Sequence, residues 1–382
     1  MNKTVVDIVN FNADASCFSS EQWIDDLRGG ATSRFYMWLS LYVQKRKKIS
    51  LGLTGATVAD VKYYNPESIE YINRNPGIFE IILRPWSHDV GIFRSNDSFL
   101  YNVGKGIQII SKEFTNVVRY FLSPEFMINS KQIELLNDFE IRAIFINPNR
   151  YDEQTAERIS KSPYEVRATS ETFMKCISIE GGTTKAFLKS IQQYDGNIWN
   201  QSIQLCPNVV VYAWRDGESG FLLADGIKRE NFWLDNEDVG INRSFLKDLA
   251  IRYVKNSELR EPYYRSYPIH SFLAWMQEMK MMWYINKVSE IEKDFSSLDE
   301  EQKGLFLQLI NSDILASVEK KSPIIDLVDS NGLEKYVIHR QEKGFEGEEY
   351  LSIFNGAIVN KNTLVLKKLE ARKKALKNMG DI

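Results

Sequence analysis

Seven short, nearly uninterrupted apolar runs punctuate the first two-thirds of this chain, at residues 4–11, 49–54, 77–83, 118–122, 141–146, 173–179 and 209–214. Most are rich in β-branched and aromatic residues, as strands are. They lack the apolar–polar alternation of a strand with one wet face, so they read as strands covered on both sides, the mark of a parallel sheet. Helical spacing fills several of the intervals: residues 20–44, 66–75 (with Pro66 in the first turn), 104–116, 129–138 and 185–194. Strands alternating with helices pair in parallel through right-handed crossovers. The natural closure is an α/β architecture of the (β/α) barrel type.

After about residue 265 the texture changes. Residues 271–291 form a helical run dense in Trp and Met that includes Trp275, 298–318 read as a second helix, and 364–378 as a strongly basic one. The expected division is a barrel over 1–265 and a C-terminal helical region over 266–382.

In a parallel barrel the reactive groups lie at the C-terminal ends of strands and in the loops just beyond. That rule selects few acids: Asp14 after the first run, Glu125 in the phrase FLSPEF, and Asp216 and Glu218 in YAWRDGESG. Glu80 lies within the third run. Two carboxylates on different strands suit glycoside cleavage, in which one attacks or activates and the other protonates the leaving oxygen; a retaining enzyme holds them about 5–5.5 Å apart. Glu218 could supply a negative field that raises Asp216, or point into solvent.

Other chemistries fit less well. The three histidines, His88, His270 and His339, make no H-E-x-x-H pattern. Ser123 and Ser219 lack a G-x-S-x-G setting, and Gly104-Lys105-Gly106 lacks the rest of a phosphate loop. No cofactor or metal is expected. His88-Asp89, just past the third run, is a candidate for holding a sugar hydroxyl or a metal. The net charge of −3 lacks the basic signature of a nucleic-acid binder. No stretch approaches ~18 uninterrupted apolar residues, so no membrane span is expected. Cys17, Cys176 and Cys206 are odd in number and form no C-x-x-C pair. With no apolar signal segment at the start, a reduced, cytoplasmic setting is the expectation. Aromatics make up 12% of the chain, which serves either a core or a sugar cleft.

At these residues the chain resembles glycoside hydrolase family 57, the α-amylase and 4-α-glucanotransferase family. Gly77-Ile78-Phe79-Glu80-Ile81 is similar to a family strand motif. Residues 118–145 resemble the strand and helix around the family's nucleophile, and Asp216-Gly217-Glu218-Ser219-Gly220 resembles the segment that opens on its acid/base. The resemblance spans roughly residues 1–290. It implies an incomplete (β/α)7 barrel whose cleft is completed by C-terminal helices, with Glu125 as nucleophile and Asp216 as general acid/base. It also implies an oligo- or polysaccharide partner. Substrate contacts would come from Glu80, Trp86, His88, Asp14, Trp214, Glu218 and Trp275, and from Asp313 in the place of a C-terminal signature. The end of the first strand reads Asn10-Phe11-Asn12-Ala13-Asp14 where family members carry His-Gln-Pro, a departure that points away from ordinary starch. Two alternatives remain at this stage: a non-catalytic carbohydrate-binding or glycan-biosynthesis protein on the same barrel, and a polysaccharide deacetylase with a metal at Asp14 and His88.

Overall fold

The computed structural model describes residues 2–14, 20–148, 160, 164–167, 173–218, 225–237, 240–251, 254–255, 285–286, 288–289 and 292–312. Ten strands are seen: β1 (Lys3–Phe11), β2 (Ile49–Leu53), β3 (Phe79–Leu83), β4 (Val117–Phe121), β5 (Ala143–Ile146), β6 (Tyr164–Arg167), β7 (Phe173–Ser178), β8 (Val210–Asp216), β9 (Ile241–Arg243) and β10 (Val254–Lys255). They form one sheet in the order β10-β6-β7-β5-β4-β3-β2-β1-β8, with β9 beside β1. The seven expected strands are β1–β5, β7 and β8, and every pairing among them is parallel. A single bridge, Glu180 to Ala213, joins the end of β7 to β8, with the Glu180 N–H donating to the Tyr212 carbonyl at 2.8 Å. The sheet therefore closes into a near-barrel with a nearly unsealed seam, flanked by helices and followed by C-terminal helices. Outside it, β6 runs antiparallel to β7.

Strand periodicity sorts the apolar residues into two clusters. Odd positions of β1 (Val5, Val9, Phe11) and of β8 (Val211, Ala213) join the larger one, under the helices. Even positions (Val6, Ile8, Tyr212, Trp214) join Ile82, Phe126, Phe145 and Ile177 in the smaller cluster, which fills the barrel. The continuous apolar runs arise because both faces are covered.

The α-helices among the described residues are α1 (Ser20–Leu27), α2 (Arg34–Lys45), α3 (Gly55–Tyr64), α4 (Pro66–Arg74), α5 (Asn96–Glu113), α6 (Ser130–Leu135), α7 (Thr183–Gln193), α8 (Gly196–Leu205), α9 (Gly226–Asp235) and α10 (Glu300–Leu309). Serine, threonine and asparagine side chains cap α2, α3, α4, α5 and α6, each accepting a first-turn N–H. Between β1, β8, β9, α2 and α9 lies a buried charge network. Arg215 donates to Asp7 through Nε (3.1 Å) and Nη2 (3.2 Å), Arg243 Nη1 reaches Asp7 at 2.5 Å, and Arg215 Nη1 lies 2.9 Å from Glu230. Glu230 also accepts from Trp38 Nε1 at 2.7 Å and from the Tyr42 hydroxyl. Cys176 and Cys206 are buried thiols, and Cys17 lies outside the described residues.

Candidate active site

Asp216 is the last residue of β8 and shares the inward parity of Tyr212 and Trp214, so its carboxyl belongs to the C-terminal mouth of the barrel. The next residue makes a close turn. The Gly217 N–H donates to the Asn10 carbonyl at 2.8 Å, and a Cβ at Gly217 would lie 2.3 Å from the Phe11 ring. Glu125 reaches the same mouth from β4 through a 3-10 turn, Pro124–Phe126, with the proline at its start. Glu125 (φ 53°) and Phe126 (φ 55°) are both in the left-handed region, which costs a non-glycine residue about 1–2 kcal/mol. Such strain persists only where the surroundings impose it, and it concentrates at functional sites. Here the Phe126 N–H donates to the Ser123 carbonyl (3.1 Å), Ser123 Oγ donates to the Met127 carbonyl (2.9 Å), and the Phe126 ring stands edge-on to Trp214 at 5.3 Å.

The two carboxyls interact. Burial pushes Asp216 up to about 6, and the Glu125 charge pushes the same way. The Glu218 N–H (3.2 Å from Asp216 Oδ1) and the charges of Arg84 and Arg215 restrain the rise. Glu125 Oε1 lies 3.2 Å from His88 Nε2, and His88 Nδ1 lies 3.5 Å from Arg84 Nη2. Arg84 directly follows β3 and is only 1% exposed. Its Nη1 lies 3.4 Å from the Gly52 carbonyl and 3.5 Å from that of Phe11. Among the described residues the mouth thus brings together the carboxyls of Glu125 and Asp216, the His88 imidazole and the Arg84 guanidinium, supplied from the ends of β3, β4 and β8, and the guanidinium is bonded to the carbonyls at the ends of β1 and β2.

The loop carrying His88 is tied to the chain's C-terminal part. The Ser312 N–H donates to the His88 carbonyl at 2.7 Å, and Asp89 bridges to Asn311. Buried Arg94 lies 3.3 Å from Asp89 and 3.5 Å from Glu292. Burial pushes Asp89 up to about 7; Arg94 lowers it and Glu292 raises it.

Other expected site residues have different settings. Glu80 is wholly buried in the lower half of the barrel. It accepts Ser50 Oγ (2.8 Å) and the N–H groups of Leu246 (2.9 Å) and Lys247 (3.1 Å), so it anchors the segment that follows β9. Trp86, 3% exposed, packs in the outer core, with Lys105 Nζ 5.3 Å from its ring centroid, and presents no open stacking face. Glu218 does not point into solvent. Its carboxylate accepts the N–H groups of Asn12 (2.6 Å) and Ala13, and its own N–H donates to Asp216 Oδ1. Asp14 is buried just past β1, and Trp214 is half-buried beside Phe126. Trp275 and Asp313 lie outside the described residues.

Arg84 is a further residue of the mouth: it follows β3 as directly as Asp216 ends β8, a strand-end position that a search for acids alone does not reveal. Among the described residues, no group of three or more His, Cys, Asp or Glu is placed to hold a metal ion, and no helix is long and apolar enough to cross a membrane.

No family model matches this sequence, and no curated protein does. The fold, however, is similar to those of solved structures. A GH57-type branching enzyme from Pyrococcus horikoshii superposes with a TM-score of 0.63 at 11% identity, covering 99% of this chain and 96% of that one. A GH57 branching enzyme from Thermococcus kodakaraensis gives 0.62 at 10% identity, with coverage of 99% and 96%. A 4-alpha-glucanotransferase from Thermococcus litoralis gives 0.55 at 11% identity; 83% of this chain is covered, and the match spans 54% of that protein. At these identities the likeness is one of fold, and the chain has a glycoside hydrolase family 57-like fold.

Proposed function

We propose that this protein is a retaining glycoside hydrolase or glycan transferase acting on an α-linked oligo- or polysaccharide, with Glu125 as nucleophile and Asp216 as general acid/base. The observation that carries the reading is a pair of interacting carboxyls at one barrel mouth, of which Asp216 is raised. Asp216 is pushed up to about 6 by burial, helped by the charge of Glu125. Glu125 faces a histidine nitrogen at 3.2 Å from a strained turn. Acid and nucleophile need opposite protonation states at one pH, and the raised Asp216 suits the one that carries the proton.

In the first step Glu125 attacks the anomeric carbon while Asp216 gives its proton to the departing glycosidic oxygen, leaving a covalent glycosyl ester on Glu125. In the second step Asp216, now a carboxylate, takes a proton from the acceptor hydroxyl, which attacks the same carbon and releases Glu125. Water as acceptor gives hydrolysis, and a sugar hydroxyl gives transfer. The fold likeness supports a glucan as the substrate class, and the absence of a histidine at the end of β1 favours one other than plain starch.

The test is incubation of wild type, Glu125→Gln and Asp216→Asn with a panel of α-linked oligosaccharides, with products and binding both measured. Turnover by wild type, its loss in Glu125→Gln and retained binding are expected. Wild-type turnover in Glu125→Gln would refute the role, and binding without turnover by wild type would support a non-catalytic carbohydrate-binding protein instead.

A further inference from the structure

We infer that Arg84 is a positioning residue that holds His88 in its Nε2–H tautomer, so that His88 offers Glu125 a hydrogen-bond donor. The catalytic meaning of this rests on the proposed role of Glu125; the tautomer itself follows from geometry and hydrogen-bond chemistry.

A guanidinium carries donors and no acceptor. Arg84 Nη2, 3.5 Å from His88 Nδ1, can only donate to it, so Nδ1 must present its lone pair. A neutral imidazole has one N–H, which is then on Nε2. Nε2 lies 3.2 Å from Glu125 Oε1 and donates to the carboxylate. The opposite tautomer would fail at both ends, with N–H against N–H at Arg84 and lone pair against lone pair at Glu125. An imidazolium would set Nδ1–H against the guanidinium. Turning the ring over would exchange both nitrogens for carbons and lose both partners.

Arg84 is fixed well enough to impose this choice. Its Nη1 lies within 3.5 Å of the Phe11 and Gly52 carbonyls at the ends of β1 and β2. Its side chain runs close over Gly52, since a Cβ built there lies 3.3 Å from Arg84 Cδ and 3.0 Å from Leu122 Cδ2. The backbone is pinned by α5, whose Gly106 comes so close that a Cβ there would lie 2.4 Å from the Arg84 carbonyl oxygen. His88 is held from its other side by the Ser312 N–H on its carbonyl. The guanidinium thus touches both halves of the site: it directs a donor onto Glu125 through His88, and its charge favours the ionised form of Asp216.

The test is a long-range 1H–15N correlation spectrum of the full-length, 15N-histidine-labelled protein at pH 7 without substrate. The chain has three histidines, and the His88 signals are identified by their loss in His88→Gln. Wild type is expected to show one neutral tautomer with its proton on Nε2. Arg84→Met should lose that single-tautomer pattern, and Arg84→Lys, which still supplies a donor, should keep most of it. A wild-type proton on Nδ1, a doubly protonated ring, or an unchanged Nε2–H pattern in Arg84→Met would overturn the inference. If Arg84→Met does not fold, the wild-type spectrum and Gly52→Ala, which crowds Arg84 Cδ and should weaken the pattern, still decide. Because no substrate is present, the two proposals fail separately. An active Glu125→Gln enzyme refutes the catalytic role and leaves the tautomer intact, while a wrong tautomer beside an inactive Glu125→Gln removes only this inference.

Discussion

The protonation of Asp216 makes a quantitative prediction about activity and pH. As the proposed general acid it must carry its proton in the first step, and its value of about 6 makes it about 90% protonated at pH 5, about half at pH 6, about 9% at pH 7 and about 1% at pH 8. The proton is lost as pH rises through the folded value, so the alkaline limb is the one that falls. On a natural glycoside, where departure of a sugar hydroxyl requires protonation, kcat/KM should drop about fivefold from pH 6 to 7 and about tenfold from 7 to 8. A 2,4-dinitrophenyl glycoside supplies a leaving group that departs without a proton, so for it the glycosylation step should stay nearly flat across the same range. Initial rates for both substrates under kcat/KM conditions, from pH 4.5 to 9, make the test. Parallel alkaline limbs for the two substrates, or a natural-substrate limb that stays flat to pH 8, would refute Asp216 as the acid.

The rest of the structure carries predictions of its own. Burial would raise Asp7, but Arg215 and Arg243 outweigh it and hold the carboxyl below the ordinary range. Asp7→Asn breaks a buried ion network and should lower the unfolding free energy by about 3–5 kcal/mol in urea titrations at pH 7. Because the folded value is depressed, wild type should lose that advantage only as pH falls below about 3.9, the unfolded value. Gly217→Ala drives a methyl into the Phe11 ring and should destabilise by about 1–3 kcal/mol, whereas Gly77→Ala, with open space around its Cβ, should stay within about 0.5 kcal/mol; thermal melts compare the two. Glu80→Ala strands the N–H groups of Leu246 and Lys247 at about 1–3 kcal/mol each, yet should leave oligosaccharide affinity unchanged in calorimetry, which separates an anchor from a substrate contact.

The seven barrel strands were legible because burial on both faces writes itself as continuous apolar runs, and their parallel pairing followed from the helices between them. α3 was not legible. Its residues Gly55 to Val61 are all buried, so it has no polar face and no helical period to read. β6, β9 and β10, two to four residues each, are too short to carry any period. In the candidate site, the strand-end placement of Glu125 and Asp216 was legible from the apolar runs that precede them. The buried settings of Glu80 and Trp86 were not legible, because an acid or an aromatic beside a strand end looks the same in sequence whether it faces a cleft or a core; only the structure shows Leu246, Lys247 and Lys105 beside them.

The feature furthest from legible is the backbone at Glu125 and Phe126, since no residue type there announces a left-handed conformation. Beside the hydrogen bonds of Ser123, an aromatic contact joins it to the other half of the site: Phe126 follows Glu125, Trp214 precedes Asp216 by two residues, and their rings meet at 5.3 Å and 80°. An edge-to-face pair contributes about 0.5–1.5 kcal/mol beyond its buried area, comparable to the strain of one left-handed residue. Phe126→Gly removes the contact and, at residue 126, the strain with it, because glycine adopts positive φ freely, so any loss of activity in it is not a cost of that strain. If the contact positions Glu125, the glycine variant should lose roughly 100-fold in kcat, the scale on which a 1 Å misplacement acts, with KM little changed, and Phe126→Leu should lose less because it keeps apolar bulk in the barrel. Steady-state kinetics on the folded variants gives the ranking. If Phe126→Gly turned over like wild type, the strained turn would be a by-product of packing, and the contact between Phe126 and Trp214 would have no part in holding the two carboxyls in register.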